Sequence, residues 1–530
     1  MPELIERPCE YAGCDALVLR QGAICTHCFE VRCDEHKGKE VHPCRSWGSF
    51  LEDLWEKLRG HQEAIYEEIR RLRPGHQCEI EIPQPGSAAE VLKSLSTHMI
   101  GGFNVNFVIT FRDGVKWILR VRQDEGHRLP RSIRDASIRS EVTTLNLLKA
   151  NGIAVAAAWL PSHLENWDST SPEPPFDYFF TEFLEGRKWS MRRLEWNGPL
   201  IVDNHDLEDF IDAYAQQQIK LSEVNIPSKQ IGCLTTTPDG EIVAGPIITR
   251  GAFMSPKPPY FFGPFSNLQD RYLTQIRAAL QYAAVGAISV FEEPIDVYLW
   301  HLELEELVKT CKFLSEEPDT VFIKHDDDKA DVYLFNEHDQ VVGVLDWEWA
   351  FTTTKGEAFA APEFFYDKHD YMRDLNEMTH EENLLIAAYE KHGRSDLAEC
   401  VRNGRIFQRL SRIGRYTFNY WKDGFRKVFG EIPLPDFDPP KGREDDRWRL
   451  YMMQRYKDHE GLKAAMKRFG WTLARAEEEI PKGDERKKEL EVRRAKMEEE
   501  EKEKMERWIK KQEEKAKLEA EKAGTNRSSD

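Results

Sequence analysis

Two periods of hydrophobic positions alternate along this chain. Between 47 and 73, Phe50, Leu51, Leu54, Leu58, Ile65 and Ile69 recur at helical spacing among polar residues, and Arg73-Pro74-Gly75 ends the run. Phe103, Val105, Phe107 and Ile109 then fall on every second position. A turn at Asp113-Gly114 follows, and Val115, Trp117, Leu119 and Val121 resume the alternation, which predicts a β-hairpin. Ser137 to Ala150 predicts an amphipathic helix, with Gly152 just past its end. Pro161 to Pro175 is polar and Pro-rich and predicts an exposed loop. Residues 184–430 are mostly helical in pattern, interrupted by two short strand pairs near 232–245 and 332–346. From Pro439 the composition shifts, and 484–523 is almost entirely Glu, Lys, Arg and Ala, with no internal repeat anywhere.

The 530 residues are too many for one core and suggest roughly three to four domains. A formal net charge of −19 disfavours a phosphate backbone as the main partner, so no nucleic acid is expected. No stretch approaches the roughly 20 apolar residues of a membrane span. Met1 to Tyr11 is charged and lacks an apolar signal region, so the expectation is a cytoplasmic protein, with the nucleus left open.

Six of the ten cysteines crowd the start: Cys9, Cys14, Cys25, Cys28, Cys33 and Cys44, interleaved with His36 and His42. Eight such ligands match two tetrahedral zinc sites. A segment this short buries little core, so metal is the expected source of its stability. A disulfide framework would need an oxidising compartment and would leave both histidines without a role. From Cys25 onward the spacing resembles the AN-one-type zinc finger, ending in Cys33, His36, His42 and Cys44. The gap between Cys9 and Cys14 is wider than is usual in that family. The resemblance implies one site of Cys9, Cys14, Cys33 and His36 and another of Cys25, Cys28, His42 and Cys44, in a module that binds proteins. The scattered Cys78, Cys233, Cys311 and Cys400 read as buried thiols.

Residues 321–350 carry the strongest chemical signal, VFIKHDDDKADVYLFNEHDQVVGVLDWEWA. A strand runs into His325 and a cluster of acids, and a second hairpin ends at Asp346. Carboxylates at the ends of adjacent strands suit phosphoryl transfer, where one polarises the acceptor hydroxyl and another holds magnesium against the phosphates. The block resembles the aminoglycoside phosphotransferase and choline kinase family, in which His-x-Asp is followed by Asn and then by an Ile-Asp-Trp-Glu segment. His325, Asp327 and Asp346 match that spacing, whereas Val332 stands where the family has its Asn. The resemblance implies an α+β, protein-kinase-like, two-lobed fold. It also implies His325 and Asp327 as catalytic residues, Asp346 as magnesium ligand, and ATP and magnesium as cofactors. Gly101, Gly102 and Asn104 match a phosphate loop, and Arg120 takes the place of the phosphate-pairing basic residue. Glu141 would be the partner of Arg120, and Glu182, Phe183 and Leu184 would form the hinge that holds adenine. Ile231-Gly232-Cys233-Leu234 and Gly245-Pro246 resemble a second-lobe hairpin of fungal-type members.

In the tail, Glu498 with Lys502, Glu500 with Lys504, Glu506 with Lys510 and Glu513 with Lys517 pair at helical spacing. Leu490, Met497, Met505, Trp508 and Leu518 keep no heptad register, so a solvated single helix is expected ahead of a disordered end at Thr525 to Asp530. The expected domains are a two-zinc finger at 1–46, a helical linker at 47–75, an N-lobe at 76–183, a C-lobe at 184–435 and a charged helical tail at 436–530. Two functions stay open. One is an ATP- and magnesium-dependent phosphotransferase acting on a small-molecule hydroxyl. The other is a catalytically impaired kinase-fold scaffold that binds proteins through the finger or the tail. Val332 favours the second and the register of His325, Asp327 and Asp346 the first.

Overall fold

A computed structural model describes residues 47–82, 100–123, 129–165, 174–193, 200–202, 206–248, 259–286, 293–366, 375–411, 422–429 and 446–489, apart from single positions. Nearer the start it describes 6–9 and scattered residues between 14 and 36, including Cys14, Cys33 and His36. The chain divides into two compact units, Met1–Pro435 and Asp436–Asp530.

The first unit opens with a short ladder of β1 (Glu6–Pro8) and β2 (Leu17–Leu19). The predicted helix over 47–73 is two helices, α1 (Trp47–Gly60) and α2 (Gln62–Leu72), separated at His61. Next comes a five-stranded antiparallel sheet of β3 (Cys78–Ile80), β4 (Asn104–Phe111), β5 (Lys116–Arg122), β6 (Ala158–Trp159) and β7 (Tyr178–Glu182). Its spatial order is β3-β4-β5-β7-β6. Between β5 and β6 runs α3 (Arg131–Ala150), six residues longer at its start than the pattern suggested. The hairpin turns at Gly114, whose φ of 88° only glycine adopts without cost.

Alternation on β4 and β5 separates two faces. Val105, Phe107, Ile109 and Phe111, with Trp117, Leu119 and Val121, pack against Leu54, Trp55, Leu58, Ile65 and Ile69 of α1 and α2. Trp55 meets Phe107 edge to face at 5.3 Å. Each such aromatic removes roughly 150–250 Å² from water, worth about 4–6 kcal/mol as an upper bound. The helical segment expected as a linker is therefore part of the core of this lobe. The opposite face of β5 meets α3 and, through Glu348, the segment after β14.

That second lobe is mainly helical, built on α4 (Leu207–Ser222), α5 (Leu268–Ala284), α6 (Pro294–Thr310), α7 (His380–Lys391) and α8 (Ser395–Arg402). The short ladder β8 (Met191–Arg193) with β9 (Leu200–Val202) precedes α4. The hairpin at 232–245 forms as β10 (Cys233–Thr236) and β11 (Ile242–Gly245). Gly232 is needed there, because a Cβ would lie 2.1 Å from the Gly245 carbonyl oxygen. Two further ladders carry the acidic block. β12 (Phe322–Lys324) pairs with β15 (Phe351–Thr353), and β13 (Tyr333–Phe335) pairs with β14 (Val341–Val344). The Val344 amide bonds the Ala154 carbonyl and ties β14 to the sheet-bearing lobe, and Arg187 and Phe335 exchange backbone bonds at β13. The result is a mixed, two-lobed α+β fold, with the sheet strands and α3 in one lobe and the paired ladders in the other.

In the second unit, α9 (Asp446–Arg455) and α10 (Glu460–Phe469) precede helical residues 473–486. Trp448, Met452, Met453, Leu462, Ala465, Trp471 and Ala476 are buried there. The guanidinium groups of Arg449 and Arg475 lie 4.4 and 4.3 Å from the Trp471 ring. The charge pairs quoted for the tail lie outside the described residues.

Candidate functional site

The site begins with the period of β5. Because Trp117, Leu119 and Val121 face α1 and α2, Ile118, Arg120 and Arg122 face the other way. Arg120 Nε comes within 3.4 Å of Glu141, carried by α3. Two nitrogens of the same guanidinium lie 3.3 Å from Asp346 Oδ1, and one lies 3.3 Å from Glu348. Arg122 is buried, pairs closely with Glu348, and meets Glu141 at 3.1 Å and Ser137 Oγ at 3.0 Å. Two guanidinium groups thus serve three carboxylates.

Their environments pull those carboxylates apart. Burial pushes the Glu141 carboxyl above its ordinary value despite Arg120 and Arg122. Burial acts on Glu348 too, but Arg122, Arg120 and the Asn104 amide outweigh it and hold that carboxyl low. At Asp346 burial is likewise outweighed by Arg120, and the carboxyl stays ionised.

Asp346 itself sits at φ 63° and ψ 47°, left-handed backbone that a side-chain-bearing residue keeps only where its surroundings require it. His325 is buried and donates from Nε2 to the Leu345 carbonyl at 2.7 Å, which fixes the residue before Asp346. Asp327 is bonded by Lys329 at 2.7 Å. Asp328 turns elsewhere: it accepts from Tyr214 at 2.9 Å and Tyr333 at 3.4 Å, and its Oδ1 is buried without a hydrogen-bond partner. Burial pushes its carboxyl up to about 6.

Val332 is 2% exposed, and Asp331 beside it faces solvent. The residues therefore do not fit a pair of magnesium ions. Val332 offers no side-chain oxygen, and Asp328 points to tyrosines. Asp346, with 45% of its side chain exposed, can hold a single ion.

Gly101 and Asn104 close a turn, the Gly101 amide bonding the Asn104 carbonyl at 2.8 Å. Neither Gly101 nor Gly102 has a positive φ, and a Cβ on Gly102 would meet nothing within 4 Å. The fold does not require glycine at 102, so its missing side chain leaves open space. At the predicted hinge, the Glu182 carboxylate is used structurally, accepting from the Ala157 amide at 3.0 Å and Lys149 at 2.9 Å. The Phe183 amide bonds the Lys116 carbonyl at 3.2 Å. Leu184 lies against β14, where a Cβ on Gly343 would come 3.0 Å from its Cδ1. Its main-chain donor and acceptor have no partner among the described residues.

At the start of the chain, one ligand atom each from Cys9, Cys14, Cys33 and His36 lies within 4.8 Å of the others. Cys9 Sγ is 3.6 Å and Cys33 Sγ 3.1 Å from His36 Nδ1, and the Cys14 and Cys33 sulfurs are 3.9 Å apart. Zinc bonds of about 2.3 Å to sulfur and about 2.0 Å to nitrogen give tetrahedron edges near these lengths, so the donor set fits zinc. None of the described cysteines is joined in a disulfide. Cys25, Cys28, His42 and Cys44 lie outside the described residues.

The structure therefore joins Arg120, Glu141 and Asp346 in one network, with Asn104 added through Glu348. Glu182, Phe183 and Leu184 stand apart from it. Arg122 and Glu348 were not singled out from sequence. A signal existed for each, since Arg122 stands two residues from Arg120 on the same strand face and Glu348 two residues past Asp346.

The sequence matches no protein-family profile and no curated protein. Among solved structures, it is similar to an aminoglycoside phosphotransferase at 11% identity, covering 70% of this chain and 97% of that one, with a TM-score of 0.34. A macrolide 2'-phosphotransferase type I is 15% identical over 77% of this chain and 97% of its own, with a TM-score of 0.33. A Plasmodium vivax ethanolamine kinase is 14% identical over 72% and 82%, with a TM-score of 0.34.

Proposed function

We propose that the first unit is a phosphotransferase-like protein whose cleft takes ATP with one magnesium ion and transfers phosphoryl to a small-molecule hydroxyl. The convergence of Arg120, Glu141 and Asp346 from three separate elements carries this reading. It is the arrangement in which a strand cation, a helix carboxylate and a metal-binding Asp cooperate in phosphoryl transfer. Arg120 would face the phosphates, Asp346 would hold the ion, and the Leu184 main chain would meet adenine. The space beside Gly102 would admit the phosphates. Asp327 would accept the hydroxyl proton as the acceptor oxygen bonds the terminal phosphorus and ADP departs. We assign structural zinc to Cys9, Cys14, Cys33 and His36, and a second zinc to Cys25, Cys28, His42 and Cys44.

A second reading, a kinase-fold scaffold that binds proteins through its finger or tail, is favoured by Val332, buried and without an oxygen ligand. A thermal-shift titration separates the two. Magnesium-dependent stabilisation by ATP, about 2.7 kcal/mol at a hundredfold excess over Kd, supports the first. No shift at millimolar ATP with magnesium supports the scaffold.

A further inference from the structure

Glu348 meets Asn104, Arg120 and Arg122, yet the catalytic reading gives it no task. Its Oε2 accepts from Asn104 Nδ2 at 2.7 Å, pairs closely with Arg122, and lies 3.3 Å from Arg120. Asn104 closes the glycine turn, while Glu348 stands two residues past Asp346. The same two segments touch a second time, where the Phe103 ring meets Trp349 edge to face at 5.2 Å. From the other side, Gln123 Nε2 donates to the Gly101 carbonyl at 2.6 Å and the Asn104 carbonyl at 3.1 Å. Arg122 carries the fixation further, to Glu141 and Ser137 of α3.

We propose that Glu348 is the positioning residue of this cleft, holding the glycine turn through Asn104 and both β5 arginines on the segment that carries Asp346. The turn, the strand cation and the Asp are then assembled before a ligand arrives, which lowers the ordering cost of binding. The geometry stands independently of the ligand, while its use for nucleotide rests on the function proposed above.

The test uses the full chain in three forms, Asn104→Ala, Glu348→Gln and Glu348→Ala. It reads hydrogen–deuterium exchange over 100–105 without ligand and the Kd for ATP with magnesium. Gln keeps an oxygen for the Asn104 amide, whereas Ala removes it. Asn104→Ala should therefore speed exchange over 100–105, Glu348→Gln should leave it close to wild type, and Glu348→Ala should match Asn104→Ala. Asn104→Ala leaves the buried Arg122–Glu348 pair intact, so it reports even if Glu348→Ala does not fold. It should weaken ATP binding about tenfold, the scale of one hydrogen bond to a charged group. Unchanged exchange in Asn104→Ala overturns the proposal, as does a Gln variant that exchanges as fast as the Ala variant. If exchange responds as described while wild type binds no ATP, the positioning role stands and the nucleotide reading fails.

Discussion

Arg120 sets two guanidinium nitrogens 3.3 Å from one carboxylate oxygen of Asp346. The same side chain reaches Glu141 on α3 and Glu348 beyond Asp346. One cation thus joins a strand, a helix and the segment after β14. Any cation at Asp346 shares that carboxylate with Arg120.

Removing this cation should expose how much the fold leans on it. Arg120→Met leaves three carboxylates with only Arg122 among the two arginines. The loss should be about 3–5 kcal/mol near neutral pH. Burial, which already raises Glu141 and opposes the low values of Asp346 and Glu348, would act against one cation fewer, so the loss should shrink as pH falls and the carboxylates take up protons. Urea denaturation at pH 7 and pH 5 checks this, and an equal loss at both would argue against the ion network.

Val332→Asn should have two opposed effects. An amide placed at a 2%-exposed site should cost about 1–3 kcal/mol of stability. It also supplies the oxygen that the site lacks, so magnesium-dependent ATP binding should tighten. Denaturation and titration of the same preparation measure both. A variant that is destabilised without any gain in affinity would mean that position 332 does not face the ion.

Asp328→Asn tests the tyrosine-bound carboxylate. Its folded value of about 6 stands above the ordinary 3.8. A raised acid contributes stability at low pH that is lost as pH climbs through the folded value. His325 and Lys324 beside it, and Tyr214 and Tyr333 as donors, temper the burial that raises it. The variant should therefore match wild type near pH 4 and exceed it by about 1–3 kcal/mol above pH 7. Thermal melts across that range decide it, and a constant difference would show that Asp328 does not titrate there.

At the start of the chain, Cys33→Ser should lower bound zinc by one equivalent while any ATP binding at the Asp346 site persists. Metal analysis of both proteins reads the change. An unchanged zinc content would remove Cys33 from the ligand set.

Much of this was legible in the residues. The β4–β5 hairpin shows itself because its alternation faces two different environments and Gly114 marks the turn. The strands of the acidic block show themselves because apolar runs lead directly towards His325 and Asp346, where β12 and β14 end. Other parts were hidden. β15 is three residues long and pairs with β12 across a second hairpin, a non-local pairing that leaves no local signal. Arg122 and Glu348 look like surface charges until the fold buries each against the other. In the second unit, Trp448, Met452, Leu462 and Trp471 are buried together in a stretch whose sequence reads only as part of a charged helical tail.

Asp346 is proposed to organise a nucleotide site. Isothermal titration of ATP with magnesium into wild type and Asp346→Ala tests it most directly. Wild type should bind in a manner that vanishes on chelating magnesium, and Asp346→Ala should lose binding. Tight binding by wild type that survives unchanged in Asp346→Ala would contradict it.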